Sequence, residues 1–234
     1  MADRCAAIIL AAGRGTRMGP GQDKLFINLN GLPIVGHTWR RFDQSGLFQH
    51  LVLVVREGMQ PAFQELADQL KIETPFSFTR GGEERQDSVW NGLEAIPEGI
   101  DLVAIQDGAR PLTSPATIDE CLREAASTGA AVTACRVNDT IKTCDAEGYV
   151  QKTLDRTSLR AVQTPQCFQL SIIRAAIREA QRRGLKLTDD TAACELIQQP
   201  IKLVLTDLPN PKATSPSDIP LLAQLSQQIK GATD

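Results

Sequence analysis

Few residues in this 234-residue chain suit zinc binding or base stacking. Two histidines and six cysteines without a C-x-x-C pair argue against zinc and favour reduced thiols packed in a core. Aromatic residues make up 4% of the chain, too few for a platform that stacks single-stranded nucleic acid. The net charge of −3 likewise argues against a nucleic-acid partner. No apolar run approaches the ~20 residues of a membrane span, so we expect no membrane contact.

Short apolar runs alternate along the chain with amphipathic segments. Four runs are typical of buried strands: Ala6–Leu10, Leu51–Val55, Asp101–Gln106 and Ala130–Arg136. Apolar residues at helical spacing predict helices around 35–42, 63–70, 89–96, 115–125, 173–180 and 222–229. The alternation predicts an α/β fold, Rossmann-like, with a mainly parallel sheet and helices on both faces. We expect one domain over residues 1–234, with ligands beyond the carboxyl ends of the strands.

Two helix starts carry recognisable caps. Ser114 precedes Pro115, which is typical of an N-cap followed by proline in the first helical position. Residues 215–218 resemble a capping box for the last helix. Pro220 fits that start poorly, which predicts a helix that begins later or bends.

Residues 137–158 interrupt the alternation. Two polar, alternating segments flank the turn 145–148, a pattern typical of a β-hairpin with glycine at the turn. An isolated hairpin is marginally stable in water, so a projecting arm needs a surface to pack on, and a partner subunit is the simplest one. An edge hairpin on the main sheet fits the sequence equally well.

The first predicted strand leads into a glycine-rich basic loop, Ala-Ala-Gly-Arg-Gly-Thr-Arg-Met-Gly-Pro-Gly-Gln-Asp-Lys, at residues 11–24. Cations and backbone N–H groups on such a loop suit the binding of phosphates. The loop is not a Walker A motif, because Lys24 lies between Asp23 and Leu25. It is not the dinucleotide fingerprint either, because Met18 stands where that motif needs its third glycine.

Six segments together resemble one enzyme family. They occur in order at 11–18 (A-A-G-x-G-T-R-M), 81–89 (GGEERQDSV), 106–111 (QDGARP), 138–142 (NDTIK), 187–190 (LTDD) and 207–214 (DLPNPKAT). The sequence is similar to the 2-C-methyl-D-erythritol 4-phosphate cytidylyltransferases, which have the nucleotide-diphospho-sugar transferase type of fold. The resemblance implies transfer of CMP from CTP to methylerythritol phosphate with Mg²⁺, in a homodimer whose β-arm, residues 137–158, takes part in dimerisation. It also implies a cytoplasmic or plastid-stromal enzyme.

The resemblance assigns the nucleotide side of the reaction. Arg17 and Lys24 become catalytic cations that stabilise charge on the triphosphate, and Lys212, which belongs to the acceptor end, becomes the third catalytic cation. Nucleotide contacts are implied for Ala11, Ala12, Gly13, Gly15, Gly82, Ser88 and Asp107, with Gly82 and Ser88 facing the cytosine. Asp107 is also the implied Mg²⁺ ligand. From the residues alone, Asp107 before Gly108 is equally a turn aspartate.

The acceptor side is implied to use Thr140, Arg156, Thr164, Thr188 and Asp207, with Arg156 reaching in from the neighbouring subunit. Thr188 is equally well placed as a helix N-cap. We expect Arg85 and Arg110 to form ion pairs rather than ligand contacts. Two other functions stay open: a related cytidylyltransferase with another acceptor such as ribitol 5-phosphate, and a non-catalytic nucleotide-sensing module.

Overall fold

The computed structural model describes residues 3–13 and 23–231. Its strands are β1 Cys5–Ala11, β2 Asn28–Leu29, β3 Leu32–Pro33, β4 His50–Val55, β5 Phe76–Arg80, β6 Leu102–Asp107, β7 Ala130–Arg136, β8 Lys142–Cys144, β9 Val150–Thr153, β10 Arg160–Gln169 and β11 Lys202–Leu205. Its helices are α1 Ile34–Gln44, α2 Gln60–Leu70, α3 Arg85–Glu94, α4 Pro115–Thr128, α5 Leu170–Arg182, α6 Asp190–Leu196 and α7 Asp218–Gly231.

Seven strands form the central sheet, in the order β11-β7-β10-β6-β1-β4-β5. β10 runs antiparallel to both of its neighbours, and the other pairs in the sheet are parallel. The predicted α/β fold with a mainly parallel sheet is therefore confirmed. The four predicted strands and the predicted helices are present, whereas β2, β3, β5, β10 and β11 did not emerge from the sequence pattern, and α6 was indicated only by the possible N-cap at Thr188.

Hydrophobic cores cover both faces of the sheet. Ala7 and Ile9 of β1 face one core, which also holds Trp39 of α1 and Phe63 of α2. The intervening Ile8 faces the other core, with residues of α3 and α5. Because side chains alternate along a strand, one apolar run supplies both layers.

Both predicted caps are found, one with a shift. The Ser114 hydroxyl accepts a hydrogen bond from the Thr117 N–H at the start of α4. The last helix begins at Asp218 rather than Ser215, and the Asp218 carboxylate accepts the N–H groups of Thr214 and Ser215. Pro220 then lies in the first turn, where the helix does not use the missing N–H.

The hairpin between β7 and β10 forms a two-stranded sheet of its own, so the edge-hairpin alternative is wrong. Gly148 has a φ of +90° in its turn, a conformation that glycine adopts without strain. Every residue of β8 and β9 is exposed. Cys144 of β8 is exposed as well, which corrects the expectation that the cysteines are core thiols, although Cys5, Cys121, Cys167 and Cys194 are buried.

Within the described ranges, none of the helices combines the length and apolarity needed to cross a bilayer.

Candidate active site

Two cavities meet at the carboxyl end of β6. The first has a volume of about 550 Å³ and lies beside Ala12, Gly13 and Lys24. The second has a volume of about 560 Å³ and lies between β10 and α6. Arg85, Asp107 and Lys212 line both cavities. We call them the nucleotide cavity and the acceptor cavity, after the implied nucleotide contacts and acceptor contacts that line them.

Glycines shape the wall of the nucleotide cavity. A Cβ at Gly81 would lie 2.2 Å from the Cβ of Ala12, and one at Gly82 would lie 2.2 Å from that of Asp87. Neither position has room for a side chain, so the backbone of this turn itself faces the cavity. The buried Ser88 hydroxyl accepts the Gly82 N–H at 3.0 Å and donates to the Glu84 carbonyl at 3.3 Å. Ser88 therefore holds the turn in place while it lines the cavity.

Asp107 is the electrostatic centre of the junction. Its carboxylate is buried and lies 2.8 Å from Lys212 Nζ, 3.6 Å from Arg110 Nε and 3.9 Å from Arg85 Nε. Burial opposes ionisation, but Lys212, Arg85 and Arg110 together hold the pKa of Asp107 below its usual value. The hydroxyl of Thr164 accepts the backbone N–H of Asp107 at 3.1 Å and so fixes the end of β6.

The two predicted catalytic lysines approach through a shared loop. Lys24 begins a short 3-10 turn, and its Nζ donates to the carbonyl of Ala213 at 3.4 Å. Ala213 follows Lys212, which contacts Asp107. The loop that carries Lys212 therefore brings together two lysines that are far apart in sequence.

Arg85 ties the nucleotide side to the acceptor side. Its Nη1 and Nη2 donate to the two carboxylate oxygens of Asp190 at 2.7 and 2.8 Å, which is the ion pair that we expected. Burial raises the pKa of Asp190, and the facing Arg85 opposes that rise. The N-cap of α6 is Asp189, which accepts the Ala192 N–H, so the N-cap alternative for Thr188 is wrong. Thr188 is left exposed along the acceptor cavity.

Asn210 was missed by sequence reasoning. It is buried, and its Nδ2 donates to the Thr164 carbonyl at 2.9 Å while its Oδ1 accepts from the Thr113 hydroxyl at 3.1 Å. Its own carbonyl accepts from Arg110 at 2.6 Å. These contacts fasten the loop two residues before Lys212. The Asn-Pro-Lys segment was visible in the sequence, but its neighbours lie about 50 to 100 positions away.

The structure assembles part of the predicted set of site residues. The predicted residues that line one or both cavities are Ala12, Gly13, Lys24, Gly82, Ser88, Asp107, Thr164, Thr188 and Lys212. Ala11 is buried in the core at the end of β1 instead. Thr140, Arg156 and Asp207 are exposed and lie outside the described cavity linings. Arg17 and Gly15 fall outside the described residues, so their roles stay predictions.

Arg156 lies at the root of the hairpin, where its Nη1 donates to the carbonyl of Asn138. Thr140 lies on the other side of the same hairpin, before β8. Their implied contacts with the acceptor are not made within the described part of one chain.

Comparisons with known proteins point to one family. The IspD family, 2-C-methyl-D-erythritol 4-phosphate cytidylyltransferase, matches residues 5–226. The enzyme of that name from Pelotomaculum thermopropionicum is 42% identical over 218 residues, which cover 93% of this chain and 92% of the relative. The one from Geobacillus thermodenitrificans is 43% identical over 213 residues, covering 91% and 92%.

A solved structure shows the same fold. The crystal structure of the 4-diphosphocytidyl-2C-methyl-D-erythritol synthase from Anaerococcus prevotii is 27% identical. It superposes with a TM-score of 0.86 and covers 96% of each chain. The resemblance predicted from the six sequence segments is confirmed, and the chain belongs to the 2-C-methyl-D-erythritol 4-phosphate cytidylyltransferase family.

Proposed function

We propose that the protein transfers CMP from CTP to 2-C-methyl-D-erythritol 4-phosphate, giving 4-diphosphocytidyl-2-C-methyl-D-erythritol and pyrophosphate. One observation carries the proposal. Two cavities, each large enough for a small phosphorylated ligand, share Arg85, Asp107 and Lys212. A phosphate in one cavity can therefore meet a phosphate in the other at a cationic junction.

In this reaction an oxygen of the acceptor phosphate attacks the α-phosphorus of CTP, the bond to the β-phosphate breaks, and pyrophosphate leaves. The attacking oxygen is already anionic, so the protein needs to align two polyanions and stabilise charge. Lys24 and Lys212 meet through the 212–213 loop and suit that task. Arg17 would add a third cation to the nucleotide side.

The turn formed by Gly81 and Gly82 suits the flat face of a cytosine. Its backbone lines the nucleotide cavity without side chains, and Ser88 fixes it. Because Ser88 already bonds to Gly82 and Glu84, we propose that it reads the base mainly by positioning this turn. Gly13, Gly15 and the backbone at 11–12 would serve the triphosphate.

Asp107 fits a Mg²⁺ ion that arrives with the nucleotide better than a resident one. Within the described residues, no group of three or more acidic, histidine or cysteine side chains is arranged to hold a metal. A single carboxylate combined with phosphate oxygens and waters is the ordinary Mg²⁺ environment in nucleotide-dependent enzymes. When bound, Mg²⁺ would withdraw charge from the phosphates. Lys212 would then leave its ion pair with Asp107 and form one with a phosphate oxygen instead.

We further propose that the enzyme is a homodimer in which the 137–158 arm, part of a single 1–234 domain, packs on the partner. Tyr149 and Val150 of the arm are 73% and 63% exposed, as expected for side chains that await a partner surface. Arg156 and Thr140 would then contact the acceptor phosphate in the partner's site. Asp207 would complete the acceptor side.

Mixing inactive subunits tests this arrangement. Lys24→Ala and Arg156→Ala chains should each be inactive alone. In an equal mixture, half of the dimers combine the two variants, and one of their two sites is intact, so about one quarter of the parent activity should return. An inactive mixture would contradict the contribution of Arg156 from a partner. A fully active monomer in sedimentation experiments would contradict the dimer.

The family's bacterial relatives and the six free cysteines suggest a reducing cytoplasm as the site of action, or a plastid stroma for a processed form. We propose no nucleic-acid or membrane partner. The net charge of −3 gives little attraction for polyanionic nucleic acid.

A pyrophosphate-release assay with four nucleoside triphosphates and a panel of sugar phosphates tests the function. We expect release only when CTP and methylerythritol phosphate are present together. Faster release with ribitol 5-phosphate would favour the related cytidylyltransferase. Tight CTP binding without release for any acceptor would favour the nucleotide sensor. The weakly active Asp107→Asn variant serves as the control for contaminating activity.

A further inference from the structure

Arg160 differs from the other cations that line the acceptor cavity. Arg85, Arg110 and Lys212 all lie within 3.9 Å of an oxygen of Asp107. Arg160 lines the same cavity and has no ion pair within 4.0 Å among the described residues. Its positive charge therefore lacks a carboxylate partner beside a cavity that has room for an anion.

Backbone contacts hold the Arg160 side chain in place. Its Nη1 donates to the carbonyls of Thr157 at 2.9 Å and Leu159 at 2.6 Å. Because these carbonyl acceptors are neutral, the guanidinium of Arg160 keeps its full positive charge. Within the described residues, its Nε and Nη2 make no hydrogen bond. A guanidinium has five N–H donors, so at least three of them are available to a ligand.

A second arginine lies directly across from Arg160. In the antiparallel ladder between β7 and β10, Arg160 pairs with Arg136. Directly opposite residues share one face of a sheet with their Cβ atoms about 5 Å apart, and like charges in such a pair are destabilising. An anion between the two guanidinium groups would remove that repulsion.

We infer that Arg160, assisted by Arg136, is a specificity-determining residue that binds the phosphate group of the acceptor. The inference rests on the proposed function, which brings a dianionic phosphate monoester to this cavity. One phosphate oxygen attacks CTP, and the other terminal oxygens need partners that stay in place. Arginine is suited to them because its planar fork matches a phosphate in two-point contact.

The position of Arg160 on β10 supports this role. Val162 and Thr164 follow it along the strand and line the same cavity. Thr164 bonds to Asp107 at the junction, so β10 extends from the junction, where the reaction takes place, toward the hairpin. Arg160 lies at the hairpin end of this wall, and its side chain lines the same cavity as Asp107 and Lys212 at the junction.

Steady-state kinetics on the full-length enzyme test the inference. Loss of a charge-assisted contact in Arg160→Gln should raise the KM for methylerythritol phosphate about tenfold or more, while kcat and the KM for CTP stay within about twofold. Arg160→Lys keeps the positive charge but loses the planar fork, so its KM for methylerythritol phosphate should lie between those of the parent and of Arg160→Gln. Arg136→Gln should show a smaller rise of about threefold. Arg123→Gln removes an exposed arginine of α4 as the matched control and should leave every constant unchanged.

Binding of inorganic phosphate, measured by calorimetry without CTP, separates this inference from the proposed function. The Kd for phosphate should rise in Arg160→Gln by a factor similar to that of the acceptor KM. Unchanged values of both in Arg160→Gln would overturn the inference. If the parent enzyme does not use methylerythritol phosphate but phosphate binding still weakens in the variant, the proposed function fails and the anion site stands.

Discussion

The nucleotide cavity and the acceptor cavity share three residues but are built differently. Short glycine-containing segments that directly follow β1 and β5 wall the nucleotide cavity. The acceptor cavity is enclosed by β10 and α6, and side chains far apart in sequence hold it together. Gln166 is one of these, since its Nε2 donates to Asp189 and its Oε1 accepts the Asp190 N–H, both at 3.0 Å.

The difference shows how each half selects its ligand. Backbone walls present fixed N–H and C=O groups to a ligand, and Gly81 and Gly82 permit no other residue without a rearrangement. The acceptor half instead presents charged side chains held by ion pairs and buried hydrogen bonds. Substitutions in the nucleotide half should therefore disturb the backbone wall, whereas substitutions in the acceptor half should remove charges or the hydrogen bonds that hold them.

The largest effect is expected for Lys24→Ala, on the nucleotide side. Removing a cation that stabilises developing charge should lower kcat about 1,000-fold. The free energy of unfolding should change by less than about 1 kcal/mol, because Lys24 is a half-buried side chain on the cavity wall and not part of the core. Pyrophosphate release and denaturant melts measure the two quantities. Lys202→Ala, an exposed lysine on β11, is the control, and a Lys24→Ala enzyme as active as that control would rule out the catalytic role.

The next largest effect on activity is expected for Asp107→Asn, because this substitution changes the junction of the two cavities itself. We expect a loss of activity of about 100-fold and a flat Mg²⁺ titration, since the neutral amide is a poor Mg²⁺ ligand. An unchanged Mg²⁺ titration would reject Asp107 as the ligand.

The same variant has a pH signature in stability. The pKa of Asp107 in the folded protein lies below its usual value, so its ionised form stabilises the fold above about pH 4. That contribution is lost as the pH falls through the lowered pKa. The difference in unfolding free energy between parent and Asp107→Asn should therefore be constant near neutral pH and shrink below about pH 4. A difference that instead grew in acid would contradict this assignment.

Asn210→Ala tests whether buried hydrogen bonds position the acceptor side. The Thr164 carbonyl and the Thr113 hydroxyl each lose a partner, which should lower the unfolding free energy by about 2 kcal/mol. Because Lys212 follows two residues later, kcat should also fall about 10-fold or more. Val204→Ala, a buried residue of β11, gives a similar loss of stability without touching the loop. An equal change in kcat for both variants would mean that Asn210 acts through stability alone.

The nucleotide half was largely predictable from the sequence because its parts are local. The apolar run of β1 leads directly into the glycine loop, and the paired glycines at 81–82 precede a helix with clear periodicity. Such signals depend on neighbours within a few residues. The family segments then placed Ser88 and Asp107 in the same site.

The strands and long-range contacts of the acceptor half were not predicted, because they lack local signals, although Thr164, Thr188 and Lys212 were assigned to the site. β10 contains three glutamines and a proline in ten residues, and β11 has only four residues. The Arg85–Asp190 pair joins positions 105 residues apart, so an ion pair of Arg85 could be expected from the sequence but its partner could not be identified. The alternating Phe76 and Phe78 of β5 were a usable strand signal, and both rings pack against Trp39.

The smallest effect is expected for Ser88→Ala, which tests whether the Ser88 hydroxyl holds the backbone turn at Gly82 in place. The variant loses the hydrogen bonds to the Gly82 N–H and the Glu84 carbonyl, so the unfolding free energy should fall by about 1 kcal/mol. The turn that faces the base would loosen, and the KM for CTP should rise a few-fold with kcat nearly unchanged. Preference for CTP over UTP should narrow by a similar factor.

Ser45→Ala is the matched control for Ser88→Ala. Its hydroxyl also donates to a carbonyl, that of Phe42 at 2.7 Å, but it lies at the end of α1, away from both cavities. We expect Ser45→Ala to lose comparable stability and to keep the parental KM for CTP. If both serine variants kept that KM, the glycines alone would hold the turn. If Ser88→Ala lowered kcat without changing the KM for CTP, this part of the wall would act on the reaction rather than on base recognition.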